Sequence, residues 1–200
     1  SSKLKTIIIG NNKVKELPLG IFDSCLDLET LALDLMEMET IDEKMLENNT
    51  KLKALHLNNN NFEKLNRNFF KHLTLLKELK ISCERFDLKN DLFDDLINLE
   101  NLYINCNDRE QLNAIIFKNL KKLKRLDIFH SKCDIFDVDL FKGLENLEHI
   151  SLLFNDIKEI DPLMFKELNK LKRVEIDEKE LKEGQKETLE KEFPNIVLFI

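Results

Sequence analysis

The chain has no tryptophan, one tyrosine, four glycines and three prolines in 200 residues. So little punctuation excludes a Pro/Gly/Ser-rich linker or a low-complexity tract, and the bends of the chain must come from some recurrent geometry instead. No apolar run approaches the roughly 18 residues needed to cross a membrane, which excludes membrane insertion by a helix. Ser1–Leu4 is no signal peptide, so the start reads as a mature or trimmed N-terminus. Basic stripes are missing as well. With a net charge of −7 the chain has nothing to hold phosphates, and nucleic acid is excluded as a partner. Four cysteines do not make a disulfide scaffold, and no cysteine-rich flank closes either end. No outward Ser/His/Asp set, carboxylate pair or Gly-rich phosphate loop occurs in register, so neither an enzyme nor a cofactor or metal site is expected.

What the chain has is leucine at a fixed interval. A pattern of the form L-x-x-L-x-L opens at Leu4, Leu28, Leu52, Leu76, Leu99, Leu123, Leu147 and Leu171, in steps of 24 with one of 23, and Phe193 opens a ninth after 22. A fixed period of roughly 20–29 residues with this pattern predicts a leucine-rich-repeat solenoid. The expected fold is an α/β solenoid, a curved horseshoe with a parallel sheet of about nine short strands on its concave face. Its convex side is irregular, with 3-10 and short helical segments. Residues 1–200 form a single domain of eight repeats plus a terminal strand, with 177–200 as an atypical C-terminal capping unit. In that unit Lys179–Glu192 is charged and helix-prone, with Leu181, Leu189 and Phe193 on one face. Pro194 stops the helix, and Ile196 and Leu198 supply the last strand.

The third unit shows the logic. Leu55 and Leu57 are two apart and point to one side of a short strand, the core, while Ala54, His56 and Asn58 point to the other. Further on, a phenylalanine slot recurs as Phe22, Leu46, Phe70, Phe93, Phe117, Phe141, Phe165 and Leu189. That slot explains 14 phenylalanines beside one tyrosine, and each buried ring is worth about 2–3 kcal/mol. An asparagine slot holds Asn12, Asn60, Asn107 and Asn155 in the odd units, where the side chain covers backbone groups of the bend. The even units carry Met36, Glu84, Ser131 and Lys179 there, so locally irregular bends are expected, with Glu84 and Lys179 turned to water.

Cys25 occupies a convex leucine slot and reads as a small buried hydrophobe, as does Cys133. Cys83 and Cys106 take the eighth place of adjacent units, about one strand spacing (~5 Å) apart, within disulfide reach. His130 holds the same place in the next unit. A Cys–His dyad or metal site lacks a further ligand or orienting acid there, and a surface histidine beside a disulfide or free thiols is the better reading. Asn48-Asn49-Thr50 is a glycosylation sequon that makes Asn48 a candidate acceptor. Sequon and cysteine pair point to a secreted or extracellular protein; free thiols and a bare Asn48 would point to a cytoplasmic one.

Strand alternation places a central outward column at Ile8, Ala32, His56, Lys80, Tyr103, Asp127, Ser151, Glu175 and Val197. The next column runs Gly10, Asp34, Asn58, Ser82, Asn105, Phe129, Leu153, Asp177 and Phe199. Most are polar, as a solvated face requires. Units five to seven differ: Tyr103, Phe129, His130, Leu153 and Phe154 fall on three adjacent strands, with Lys80, Arg125 and Asp127 around them. A contiguous aromatic patch rimmed by charge marks an interface, and aromatic anchors dominate binding energy. The expected partner is a protein ligand on the concave face, with a homodimer as the other use of the patch.

The L-x-x-L-x-L-x-x-N pattern followed by F-x-x-L-x-x-L resembles the "typical" 24-residue leucine-rich repeats of animal extracellular proteins. Segments such as Leu147–Leu168 (LEHISLLFNDIKEIDPLMFKEL) are similar to those of insect secreted leucine-rich immune proteins and Toll-type ectodomains. That resemblance implies a non-enzymatic recognition module, secreted or part of an ectodomain, serving innate immune recognition, with no cofactor. The alternative is a self-associating structural or scaffold repeat protein inside cells.

Overall fold

A computed structural model describes residues 3–82, 88–105, 112–131, 135–177, 179, 181–194 and 197–199. Cys83, Glu84, Cys106, Asn107 and Cys133 lie outside the described residues, and with them the disulfide pairing and two of the asparagine-slot positions.

The predicted solenoid is what forms. Nine short strands make one parallel sheet in chain order: β1 (Thr6–Ile8), β2 (Thr30–Ala32), β3 (Ala54–Leu57), β4 (Glu78–Ser82), β5 (Asn101–Asn105), β6 (Arg125–Phe129), β7 (His149–Ser151), β8 (Arg173–Glu175) and β9 (Val197–Phe199). Parallel neighbours need a crossover between them, and each repeat supplies one. Those crossovers form the convex side through turns, two one-turn helices, α1 (Arg67–Phe70) and α2 (Ala114–Phe117), and a 3-10 helix at Pro162–Phe165. Asn66, Asn113 and Asp161 cap these turns, each accepting from the backbone N–H two residues on at 2.9 Å. Asp42 and Asp137 cap turns of other units in the same way. Such caps satisfy donors that a short helical turn leaves open.

One hydrophobic core runs between sheet and convex wall, from Leu17 to Leu189. Every described residue of the phenylalanine slot is buried in it, and Phe70 lies 6.2 Å from Phe93 and Phe141 6.0 Å from Phe165, ring centre to ring centre. Cys25 is half-buried and packs on this core.

The bends differ from expectation in an instructive way. Asn60 donates through Nδ2 to the carbonyls of Leu33 and Leu57 (2.8 and 3.1 Å), and its Oδ1 accepts from the N–H groups of Met36 and Met38 (3.2 and 3.1 Å). One asparagine therefore serves two repeats. Met36, which cannot cover its own bend, is served by the unit behind it and packs into the core instead. Asn155 does the same for unit six, donating to the Ile128 carbonyl and accepting from the Ser131 N–H and hydroxyl. Lys179 is exposed, as expected.

The last unit also departs from the sequence reading. Gly184 adopts a left-handed conformation (φ 82°), so helix α3 spans only Gln185–Glu192. Phe193 packs edge-on against Phe165, 5.7 Å away on the convex side, and two more residues are needed to reach the sheet. β9 is consequently in register with Leu198 opposite Val174 and Phe199 opposite Glu175. Phe199 rather than Val197 ends the central column, and the 24-residue step is restored.

Candidate functional site

The open concave face divides into two bands. Where the strands begin and cross their middle, charged side chains neutralise one another. Arg125 donates from Nε and Nη2 to the same Asp127 oxygen (3.0 and 2.8 Å), and its Nη1 lies 3.3 Å from His149 Nδ1. Glu175 faces His149 at 3.6 Å and Arg173 at 2.6 Å. Burial pushes the Asp127 carboxyl above its usual range, with Arg125 opposing. The His149 imidazole is pushed down by burial and then by Arg125. A neutral ring with Nδ1 accepting from Arg125 fits both facts. Nearer the first units, Glu78 is shared by His56 (2.7 Å) and Lys80 (3.3 Å). Tyr103 stands between two cations, with Lys80 Nζ 5.0 Å and Arg125 Cζ 5.5 Å from its ring centre. Contacts of this kind are worth about 0.5–2 kcal/mol.

Where the strands end, the face opens into a groove of about 330 Å³ lined by Asn58, Asn59, Lys80, Ser82, Tyr103, Asn105, Phe129, His130 and Phe154. Five of the eight residues expected at the site are here: Lys80, Tyr103, Phe129, His130 and Phe154. Leu153 is half-buried and is not part of the lining. Arg125 sits behind Tyr103 in the charged band. Asp127 is 2% exposed and bound to Arg125, so it offers no carboxylate to a partner. Its column position predicted an outward side chain, and the neighbouring Arg125 closes over it. Asn58, Asn59, Ser82 and Asn105 stand in the outward columns but carry no aromatic signal, and sequence reasoning left them out of the site.

Phe154 is the exposed end of this groove, 60% accessible. Its ring stacks on His130 (5.6 Å, 21° between planes) and tilts against Phe129 at 6.5 Å. Backbone geometry holds it there. Phe154 has φ 63° and His130 φ 53°, a left-handed conformation that costs an L-residue of this kind about 1–2 kcal/mol. The Phe154 N–H donates to Asp177 Oδ2 (2.9 Å), and its carbonyl accepts from the His130 N–H (3.1 Å). Asp177 supports the site without lining it. The signal that marks it is a 24-residue column whose polar side chains accept backbone N–H groups of an adjacent unit, Ser82 and Asp177 from the preceding one and Asp34 from the following one.

Comparison with known proteins settles the family. A profile described as "BspA type Leucine rich repeat region (6 copies)" matches residues 1–100, and one described as "Leucine rich repeat" matches residues 97–157. The chain is a leucine-rich-repeat protein. Among solved structures, that of the Toll–Spatzle complex, a molecular hub in Drosophila development and innate immunity, aligns with TM-score 0.76 at 21% identity. The alignment covers 99% of the present chain and 26% of that one. Identity at this level shows a shared fold, and the present chain spans about a quarter of that chain's length. A search of curated proteins found no match.

On this leucine-rich-repeat protein Asn48 is exposed in a convex turn, and its neighbour Asn49 is fully buried, donating to the carbonyls of Phe22 and Cys25. The first residue of the sequon faces water while the second holds two repeats together. Among the described residues no group of His, Cys, Asp and Glu is disposed to hold a metal ion, and no helix is long and apolar enough to cross a membrane.

Proposed function

We propose that this protein is a secreted or ectodomain recognition module of the 24-residue type, from an arthropod, that binds a protein partner through the groove at the strand ends of units three to seven. In this reading residues 1–200 act as one domain, and the atypical unit 177–200 covers the end of its core. Tyr103, Phe129, His130 and Phe154 make the apolar contact and Lys80 orients the partner. Asn48 carries a glycan, Cys83 and Cys106 are bonded, and innate immune recognition is the role. The observation that carries the proposal is Phe154, a large apolar side chain 60% exposed on a face where the charged groups satisfy one another. Support of a different kind comes from the fold, which the Toll–Spatzle complex shares.

The test is partner capture by the chain made in a eukaryotic secretion host, compared with the Phe129→Ala/Phe154→Ala variant. Capture should be lost while the melting temperature moves by no more than about 2 °C, under 1 kcal/mol for a domain of this size. Loss of several times that would make the two rings core residues and remove the proposal. Intact mass under reducing and non-reducing conditions reports the Cys83–Cys106 bond and the Asn48 glycan together. A second copy of the chain is the competing occupant, and sedimentation that shifts with concentration would favour it.

A further inference from the structure

Five described residues at the eighth place of their units adopt the left-handed conformation: Asn11, Leu35, Asn59, His130 and Phe154. Asparagine enters that region readily because its short polar side chain bonds locally, and histidine more often than most residues, whereas leucine and phenylalanine do not. Core packing does not explain Phe154, whose ring is mostly in water. It is fixed in place by the N–H bond to Asp177 and the carbonyl bond from His130. The conformation belongs to the repeat, since Leu35 shares it outside the groove; what is particular to Phe154 is a solvated ring stacked on His130 and facing Phe129 at the groove.

The groove below that ring has a definite polarity. Phe129, His130 and Phe154 form one wall, and Asn58, Asn59 and Ser82 form the other. Among the described residues of the lining none is acidic, in a chain with 38 acidic and 31 basic residues. Lys80, which shares Glu78 with His56, brings its ammonium to the lining at the side away from Phe154. The amide side chains of Asn58 and Asn59 offer donor and acceptor together, the complement of a peptide main chain.

Resting on the recognition reading above, we infer that the groove takes a polypeptide segment of the partner. That segment places an aromatic or large aliphatic side chain on the Phe129–Phe154 wall and a carboxylate at Lys80, with Phe154 as the specificity anchor. Electrostatic complementarity then acts locally, since the remainder of this acidic protein repels an acidic segment that misses the groove.

The experiment is selection of a displayed random peptide library on the immobilised full chain, with affinities of enriched peptides measured by fluorescence anisotropy. Enriched peptides should pair Phe, Trp or Leu with Asp or Glu. Affinity should fall at least tenfold on Phe154→Asn and several-fold on Lys80→Gln. Leu35→Asn, which changes a residue of the same backbone conformation outside the groove, should leave it unchanged. Both asparagine variants should melt higher than the parent, by about 2 °C. A fall of several degrees in Phe154→Asn would make the ring a packing residue and overturn the inference. So would peptides whose affinity ignores Phe154→Asn, or a concentration-dependent dimer that Phe154→Asn abolishes. Peptides that need Phe129 and Phe154 yet carry no acid, or carry basic residues, would overturn this inference while leaving concave-face recognition standing. No enrichment over blank support would remove both.

Discussion

Phe141 and Phe154 stand thirteen residues apart, one with 0% of its surface exposed and the other with 60%. They are the same side chain in consecutive stretches of one solenoid. Phe141 occupies a place that phenylalanine or leucine fills in every unit, against the facing ring of Phe165. Phe154 occupies a place that asparagine fills in units one and three, in a backbone conformation that suits asparagine better. What the residue packs against is set by where it falls on the period, and a departure from the period is where we propose that recognition occurs. Regions that keep the repeat carry stability, whereas the strand ends of units five to seven break it and supply the aromatic wall of the groove.

The comparison breaks if truncation fails to separate the two classes. Phe117→Ala removes a ring that is 1% exposed and leaves a cavity that units on either side cannot fill, so about 3–5 kcal/mol should be lost. In a solenoid whose stability is a sum of nearest-neighbour terms, the loss should lower the melting temperature by roughly 10 °C. Phe154→Ala should move it by about a fifth of that or less. Calorimetry on the two single variants is the measurement, and equal losses would erase the distinction between spine and patch.

A finer division comes from the asparagine slot. Asn60 joins two repeats through four bonds to backbone groups, and truncation strands two N–H donors and two carbonyls in the interior. Asn60→Ala should cost about 2–3 kcal/mol, the low end of what several unmet buried groups can cost. Hydrogen exchange should quicken at Met36 and Met38 in unit two, where no asparagine was lost from the sequence, and stay unchanged in units five to seven. Faster exchange confined to unit three would contradict the sharing between repeats.

That sharing was not legible in the chain, although the ladder was. A period of 24 places Leu55 and Leu57 inward and Phe70 on the convex wall because alternation and burial are local consequences of the strand. The missing asparagine in unit two reads as a defect when each repeat is taken alone; only contact with unit three shows Asn60 reaching back to Met36. The Asp127 place was read correctly as a column and wrongly as a surface, since a side chain on an open sheet is still buried when Arg125 folds across it. Of the nine groove residues, Tyr103, Phe129, His130 and Phe154 followed from aromatic content and Lys80 from the charge beside them. The amides of Asn58 and Asn59 did not, because nothing in an asparagine's identity separates a lining residue from a turn residue. β9 slipped by two for another reason: Phe193 fits both the opening leucine place and the convex slot, and packing against Phe165 decides between them.

The smallest effect lies on the flank where the strands begin, the part of the molecule most regular in charge. Lys5, Glu29 and Lys53 form one run of alternating ion pairs, and Lys77, Glu100 and Lys124 form another, with Glu148 and Lys172 beyond. Hydrogen bonds from Lys5 and Lys53 hold the Glu29 carboxyl down at about 2, and those from Lys124 and Lys77 hold Glu100 at about 2. A carboxyl depressed on folding adds stability above its usual pKa near 4.5 and loses it as pH falls toward 2. The parent should therefore lose melting temperature over that window by more than the Glu29→Gln/Glu100→Gln variant does. The two curves should differ at pH 6 and meet near pH 2, and the gap at pH 6 should shrink in 1 M salt because both carboxylates face solvent. Curves that run parallel through the acid limb would mean that the ladder is geometry without energy. The division between a stabilising periodic region and the aperiodic one proposed for recognition would then rest on the phenylalanine and asparagine slots alone.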